Sequence, residues 1–108
     1  MVRVRIDSEK IVDWASFHSV SKEVFGFPSF YGMNLNAFID CLTYIDEGDG
    51  MTRIILGPGE LLRIELVSAM NLQARRPEIY EALVNAVEAV NQRFIEDGKT
   101  ERIELIAL

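Results

Sequence analysis

A chain of 108 residues, 49% of them apolar, is long enough for one hydrophobic core and too short for two. Its formal net charge of -6 argues against nucleic-acid binding, because affinity for phosphate depends on Lys and Arg, and it favours a basic protein partner. The N-terminal residues lack the apolar stretch of a signal peptide and no apolar run could cross a bilayer, so we expect one cytoplasmic domain without membrane binding.

The first predicted elements are a strand and a helix. Val2, Val4 and Ile6 alternate with arginines, which is the period-two pattern of a strand with one solvated face. Asp13 is a candidate N-cap for a helix that ends before Gly26. One side of this helix carries an apolar stripe, formed by Trp14, Phe17, Val20, Ser21, Val24 and Phe25.

A short second helix is predicted after Asn34, which can act as its N-cap. The core-facing stripe of this helix has the spacing i, i+3, i+4 and i+7, and consists of Leu35, Phe38, Ile39 and Leu42. The opposite face then carries Asn36, Asp40, Thr43 and Tyr44. The acidic segment from Asp46 to Gly50 is predicted to be a loop.

A hairpin is predicted next. The continuous apolar run that follows Arg53 and ends at Leu56 indicates a strand buried on both sides, which we expect to be central in the sheet. Residues 57–59, Gly-Pro-Gly, form a turn signal. The strict alternation in residues 62–66 favours the second strand of the hairpin over a helix.

The last third of the chain predicts one or two helical turns in residues 68–74, then a long helix and a strand. Pro77 suits the first position of the long helix, and Gly98 lies past its end. Its apolar stripe is Ile79, Leu83, Ala86, Val87, Val90 and Phe94. Ile103, Leu105 and Ala107 alternate with polar residues as a closing strand. The expected fold is therefore α/β, with a small sheet that has a parallel core and an added hairpin strand, and with helices packed on that sheet.

Negative charge is concentrated in one part of the chain. From Glu23 to Thr52 there are five acids and no Lys, Arg or His, which gives this stretch a charge of -5; the acids are Glu23, Asp40, Asp46, Glu47 and Asp49. Phe30, Tyr31 and Tyr44 flank the same region and are expected to be partly exposed. Aromatic rings beside unpaired carboxylates suit a patch that anchors a cationic partner. The alternative is ordinary core packing beside a solvated loop.

Catalysis and metal binding have little support in the sequence. Cys41 and His18 are the only cysteine and histidine, and they could act as nucleophile and base only if they shared a cleft. We expect Cys41 to behave as a small apolar residue and His18 as a boundary residue. The acidic loop lacks the ligand spacing of an EF-hand. We therefore expect no catalytic residue, no metal site and no cofactor.

Residues 27–43 contain the pattern Pro-x-aromatic-Tyr-Gly-x-Asn-Leu, which begins at Pro28 and is followed by Asp-Cys-Leu from Asp40. This stretch resembles the barstar family of bacterial ribonuclease inhibitors. The resemblance implies an inhibitor that plugs the active site of a basic ribonuclease, with Asp40 accepting hydrogen bonds in place of a substrate phosphate. The positions that it implies on or beside the contact surface are Phe30, Asn34, Leu35, Asn36, Ala37, Ile39, Thr43 and Tyr44. Tyr31, from the aromatic patch, is counted with the partner-binding residues. Asp46 and Glu47, with Asp49, would steer association.

Several residues near the motif depart from the family pattern. Asn36, Ile39 and Phe30 stand where the family's namesake has an acid, a Trp and a Tyr, and the acid contributed by the last helix is replaced near Arg93. Such changes around a retained Asp40 would give specificity for a different partner. The alternative function is therefore an immunity or adaptor protein of the same fold that binds another basic toxin. In either case we expect a monomer in the free state.

Overall fold

The computed structural model describes residues 1–108 as a three-stranded sheet and four α-helices. The strands are β1 (Val2–Asp7), β2 (Leu61–Val67) and β3 (Arg102–Ala107). The helices are α1 (Trp14–Phe25), α2 (Leu35–Thr43), α3 (Ala69–Arg75) and α4 (Pro77–Glu96), and a 3₁₀ turn follows β1 at Ser8–Lys10. The α/β architecture predicted from the sequence is confirmed.

The sheet is parallel throughout, with the order β1-β2-β3. Val4 pairs with Ile64, which in turn pairs with Leu105 on the other side of the central strand. Side chains alternate between the two faces, so one face contributes to the core through Ile6, Leu62, Ile64, Leu66 and Ile103. The other face is polar and carries the cross-strand ion pairs Arg5–Glu65 and Arg63–Glu104.

Local capping explains where α1 and α2 begin. The Asp13 side chain accepts a hydrogen bond from the Ser16 backbone N–H at 2.8 Å, and the Ser16 hydroxyl accepts one from the Asp13 N–H. Asn34 caps α2 in the same way, since its side-chain oxygen accepts from the Ala37 N–H at 2.8 Å. Gly26 ends α1 in the left-handed conformation, with φ 69°. Both predicted N-caps are confirmed.

The long helix α4 provides the surface on which α2 and β3 pack. All six residues of its predicted apolar stripe are buried. The Asn91 side chain fixes α4 to the sheet, because it donates to the Ile103 carbonyl and accepts from the Ile103 N–H, each at 2.8 Å. This arrangement places the exposed side of α2 and the last turn of α4 next to each other.

The predicted hairpin is wrong. Residues 53–56 do not form a strand, and the central position belongs to β2, whose two neighbours β1 and β3 are both parallel to it. The backbone N–H of Arg53 donates to the Phe25 carbonyl at 2.9 Å, and that of Leu56 donates to the Ile45 carbonyl at 3.0 Å. These bonds satisfy the segment without a neighbouring strand.

The apolar run in residues 53–56 contributes a single fully buried side chain to the core. Leu56 is 2% exposed, whereas its neighbour Ile55 is 60% exposed, so the segment is not buried on both sides. A continuous apolar run cannot distinguish a buried strand from a loop that inserts alternate side chains into the core. The turn at Gly57 is confirmed, since its carbonyl accepts from the Glu60 N–H.

None of the four helices combines the length and the apolar character needed to cross a bilayer.

Candidate protein-binding surface

Asp40 lies on the exposed side of α2. The opposite side of the helix is anchored by Phe38 and Leu42, neither of which has any exposed surface. This anchoring leaves the Asp40 side chain 60% exposed. Asn34 and Asn36 are exposed near the start of the same helix, while Leu35 and Ile39 are partly buried at its edge.

A hollow of about 230 Å³ lies beside Asp40. Two exposed rings flank it: Phe30 is 73% exposed and Tyr44 is 43% exposed. The rest of the lining consists of Tyr31, Gly32, Ala37, Cys41 and Met51. An apolar cavity with aromatic walls and a carboxylate at its rim suits a long cationic side chain, whose stem would contact the rings while its head pairs with Asp40.

The predicted partial exposure of Tyr31 is wrong, because its ring is only 6% exposed. The ring packs against Phe27, with 4.7 Å between centroids, and its hydroxyl lies 2.7 Å from His18 Nδ1. Burial raises the pKa of Tyr31 and lowers that of His18, so both side chains are uncharged near neutral pH. Tyr31 therefore supports the hollow from below.

Thr43 is also buried, at 7% exposure, although the helical pattern placed it on the polar face. Its hydroxyl donates to the Ile39 carbonyl at 2.7 Å and accepts from Nη1 of Arg93 at 3.3 Å. The packing of α4 against the end of α2 covers this position, which helical periodicity alone does not reveal.

Asp40 is paired within the chain, so the prediction of unpaired carboxylates is wrong. Nη1 of Arg93, in the last turn of α4, lies 2.7 Å from Asp40 Oδ1. The two residues are 53 positions apart in the sequence. A count of charges in residues 23–52 could not include a base that reaches this surface from another element.

Lys99 pairs with the acidic loop in a similar way. Its Nζ lies 3.0 Å from Asp46 Oδ2 and 3.3 Å from Glu47 Oε1, and the hydrogen bond that Nζ donates to Asp46 is the main cause of the raised pKa of Lys99. The Asp46 side chain is only 14% exposed, whereas that of Glu47 is 46% exposed. Asp49, the remaining acid of the loop, accepts from the Met51 N–H at 3.1 Å.

The net charge of this surface is consequently smaller than the sequence predicts. Asp40, Asp46, Glu47 and Asp49 contribute -4, and Arg93 and Lys99 contribute +2, which leaves -2. The surface is acidic, but positive and negative groups are interleaved on it.

Cys41 and His18 do not form a nucleophile and base pair. No hydrogen bond joins them, and they line different hollows. Burial and the nearby Asp40 and Asp49 raise the pKa of the Cys41 thiol, which disfavours the reactive thiolate. No group of three or more His, Cys, Asp or Glu side chains is placed to hold a metal ion.

The architecture agrees with a comparison against protein families. A family model described as "Barstar (barnase inhibitor)" matches residues 1–106. The chain belongs to the barstar family. The match extends over nearly the whole chain, well beyond the short motif around Asp40, and it identifies the general partner of the family as a ribonuclease. No curated protein matches the chain.

Two residues of this barstar-family surface, Arg93 and Lys99, were missed as contributors to the site. The only sequence signal was the replacement of a last-helix acid near Arg93. Nothing comparable marked Lys99, which follows the end of α4 and reaches the loop after α2 only because the two chain segments fold together.

Proposed function

We propose that this chain inhibits a basic bacterial ribonuclease by binding it one to one and covering its active site with α2 and the following loop. The main support is the position of Asp40, an exposed carboxylate at the rim of a hollow between Phe30 and Tyr44. Family membership supports ribonuclease inhibition in general. The proposal adds the contact residues and the mode of binding.

Asp40 is the central group in the proposed complex. Its Oδ1 accepts from Arg93, whereas its Oδ2 makes no hydrogen bond within the chain. Oδ2 can accept from an Arg, Lys or His that would otherwise bind a substrate phosphate, and such charge-assisted bonds are short and strong. The inhibitor would therefore occupy the enzyme's phosphate-binding position.

The other predicted residues have distinct parts in the proposal. Those on the surface contact the enzyme directly and are Phe30, Asn34, Leu35, Asn36, Ile39 and Tyr44. Tyr31 and Thr43 support this surface from inside. Asp46 and Glu47 bias the approach of a basic enzyme, with Glu47 the more exposed of the two. We propose that the free chain is a cytoplasmic monomer without catalytic activity or cofactor, and that it is an immunity protein for the producing cell.

A titration tests the proposal. Purified chain is added to assays of several bacterial ribonucleases, including any encoded beside it, at low and at physiological salt. We expect stoichiometric inhibition of at least one enzyme, with slower association at the higher salt because the surface carries net negative charge. Absence of inhibition across the panel at both salts would contradict the proposal.

A second candidate function is immunity against a basic toxin that is not a ribonuclease. The uncharged Asn36 and the aliphatic Ile39 on α2 favour this alternative. Co-expression with a toxin encoded beside the chain distinguishes the two: rescue of growth by a chain that inhibits no ribonuclease would support the second function.

A further inference from the structure

The ion pair between Asp40 and Arg93 remains open to a partner on both sides. The Asp40 side chain is 60% exposed and that of Arg93 is 45% exposed. Within the chain the guanidinium donates only through Nη1, to Asp40 Oδ1 and to the Thr43 hydroxyl. The donors on Nε and Nη2 make no hydrogen bond within the chain, and neither does the Oδ2 acceptor of Asp40.

A contribution to the stability of the fold does not explain why this ion pair is present. Exposed ion pairs contribute little to folding. The helices α2 and α4 already pack against each other, and both contribute buried apolar side chains to the core, among them Leu42 and Phe94. Two other interactions nevertheless favour Arg93 at this position. It lies in the last turn of α4, where the helix dipole favours a cation, and the Thr43 hydroxyl is a second acceptor for its guanidinium.

A positive group next to Asp40 affects which enzyme can bind. A cation that approaches Oδ2 also approaches the guanidinium of Arg93, and the two repel each other more strongly once water is excluded. A carboxylate placed on the unused guanidinium donors would remove this repulsion. The planar fork of an arginine suits that pairing, because it can donate two parallel hydrogen bonds.

We propose that Arg93 is a specificity-determining residue of the interface: the ribonuclease that this chain inhibits presents a carboxylate to Arg93 beside the cation that it presents to Asp40. This inference rests on the proposed function. Arg93 disfavours binding to an active site that presents only cations. The chain therefore inhibits enzymes that place a carboxylate opposite Arg93 and a cation opposite Asp40.

The test compares inhibition constants of the wild type and four variants against the same ribonuclease panel at physiological salt. Arg93→Gln and Arg93→Met remove the charge, and the second retains the apolar stem of the side chain. Arg93→Lys keeps the charge without the fork. Arg5→Gln is the matched control, because Arg5 is 71% exposed and pairs with Glu65 on the polar face of the sheet. Circular dichroism and the thermal midpoint establish that each variant is folded.

For the enzyme that the wild type inhibits, we expect both uncharged variants to raise the inhibition constant by about tenfold or more, as for truncated interface charges. Arg93→Lys should recover part of the loss, and Arg5→Gln should change the constant by less than about threefold. An effect of the uncharged variants no larger than that of Arg5→Gln, or tighter inhibition by them, would overturn the inference while leaving the proposed function intact. If the wild type inhibits no enzyme of the panel, the proposed function fails, and the inference fails with it.

Discussion

The polar face of the sheet and the exposed side of α2 both carry ion pairs, yet they differ in what surrounds them. On the sheet, Arg5 donates to Glu65 at 3.0 Å across neighbouring strands. On α2, Asp40 pairs with Arg93 at 2.7 Å, and the exposed rings of Phe30 and Tyr44 lie beside it. Exposed charge is therefore common to both regions, and Arg5 also lines a hollow. Of the two regions, only the α2 surface sets exposed aromatic rings beside its ion pair, and this difference supports our proposal that it binds the partner.

The largest expected difference between the two regions concerns their acids. Replacing Asp40 with Ala should weaken the complex by roughly 2 to 5 kcal/mol, because a cation of the enzyme would be left buried without its partner. Glu65→Ala, the control on the sheet, should change the binding free energy by less than about 1 kcal/mol. Isothermal titration calorimetry against the inhibited enzyme measures both. A loss below about 1 kcal/mol for Asp40→Ala would remove Asp40 from the centre of the interface.

A smaller effect is expected from the aromatic wall of the hollow. Phe30→Ala should weaken binding by about 1 to 2 kcal/mol, as is usual for an aromatic contact near the centre of an interface, without lowering the free energy of unfolding, since the ring is 73% exposed. Met70→Ala on α3 is the control, because Met70 is 62% exposed and lies on another helix. Equal binding by the two variants would mean that the exposed ring is only a surface residue.

The smallest expected effect is on the stability of the fold and depends on pH. It concerns His18, which lies beside the buried Tyr31 that supports the hollow. Burial holds the pKa of His18 below 6.5, so protons bind the unfolded chain more readily than the folded one as the pH falls below that value. Stability should therefore decrease from about pH 7 towards the folded pKa. A protonated imidazole also has no acceptor to offer the Tyr31 hydroxyl. In urea unfolding at pH 7.5 and 5, His18→Gln should lose less stability than the wild type; an equal loss would contradict this role.

Elements whose residues follow one clear local rule were predictable from the sequence. The capping residues Asp13 and Asn34, the buried stripe of α4 and the alternation in β1 and β3 each reflect interactions within a few residues. The same local pattern predicted that Asp40 would be exposed on α2, and its side chain is 60% exposed. The binding role of this surface and of Asp40 stays a prediction.

Features that depend on how distant elements pack were not predictable in this way. Tyr31 is buried because the loop before α2 folds over α1, and Thr43 is buried because α4 covers the end of α2. The segment at Leu56 resembled a strand because its apolar run has no period that could exclude one. Arg93 and Lys99 reach the acidic surface only through the tertiary fold, and apart from the replaced last-helix acid near Arg93 nothing in their local sequence indicates that contact.

Competition at the active site of the enzyme tests the central claim most directly. The apparent dissociation constant between the chain and the ribonuclease that it inhibits is measured at increasing concentrations of a nucleoside monophosphate that occupies the enzyme's phosphate position. If Asp40 replaces a substrate phosphate, the constant should rise in proportion to the nucleotide once the nucleotide exceeds its own dissociation constant, and Asp40→Ala should show a weaker dependence. A constant that does not change with saturating nucleotide would mean that the chain binds elsewhere on the enzyme, and it would contradict the account.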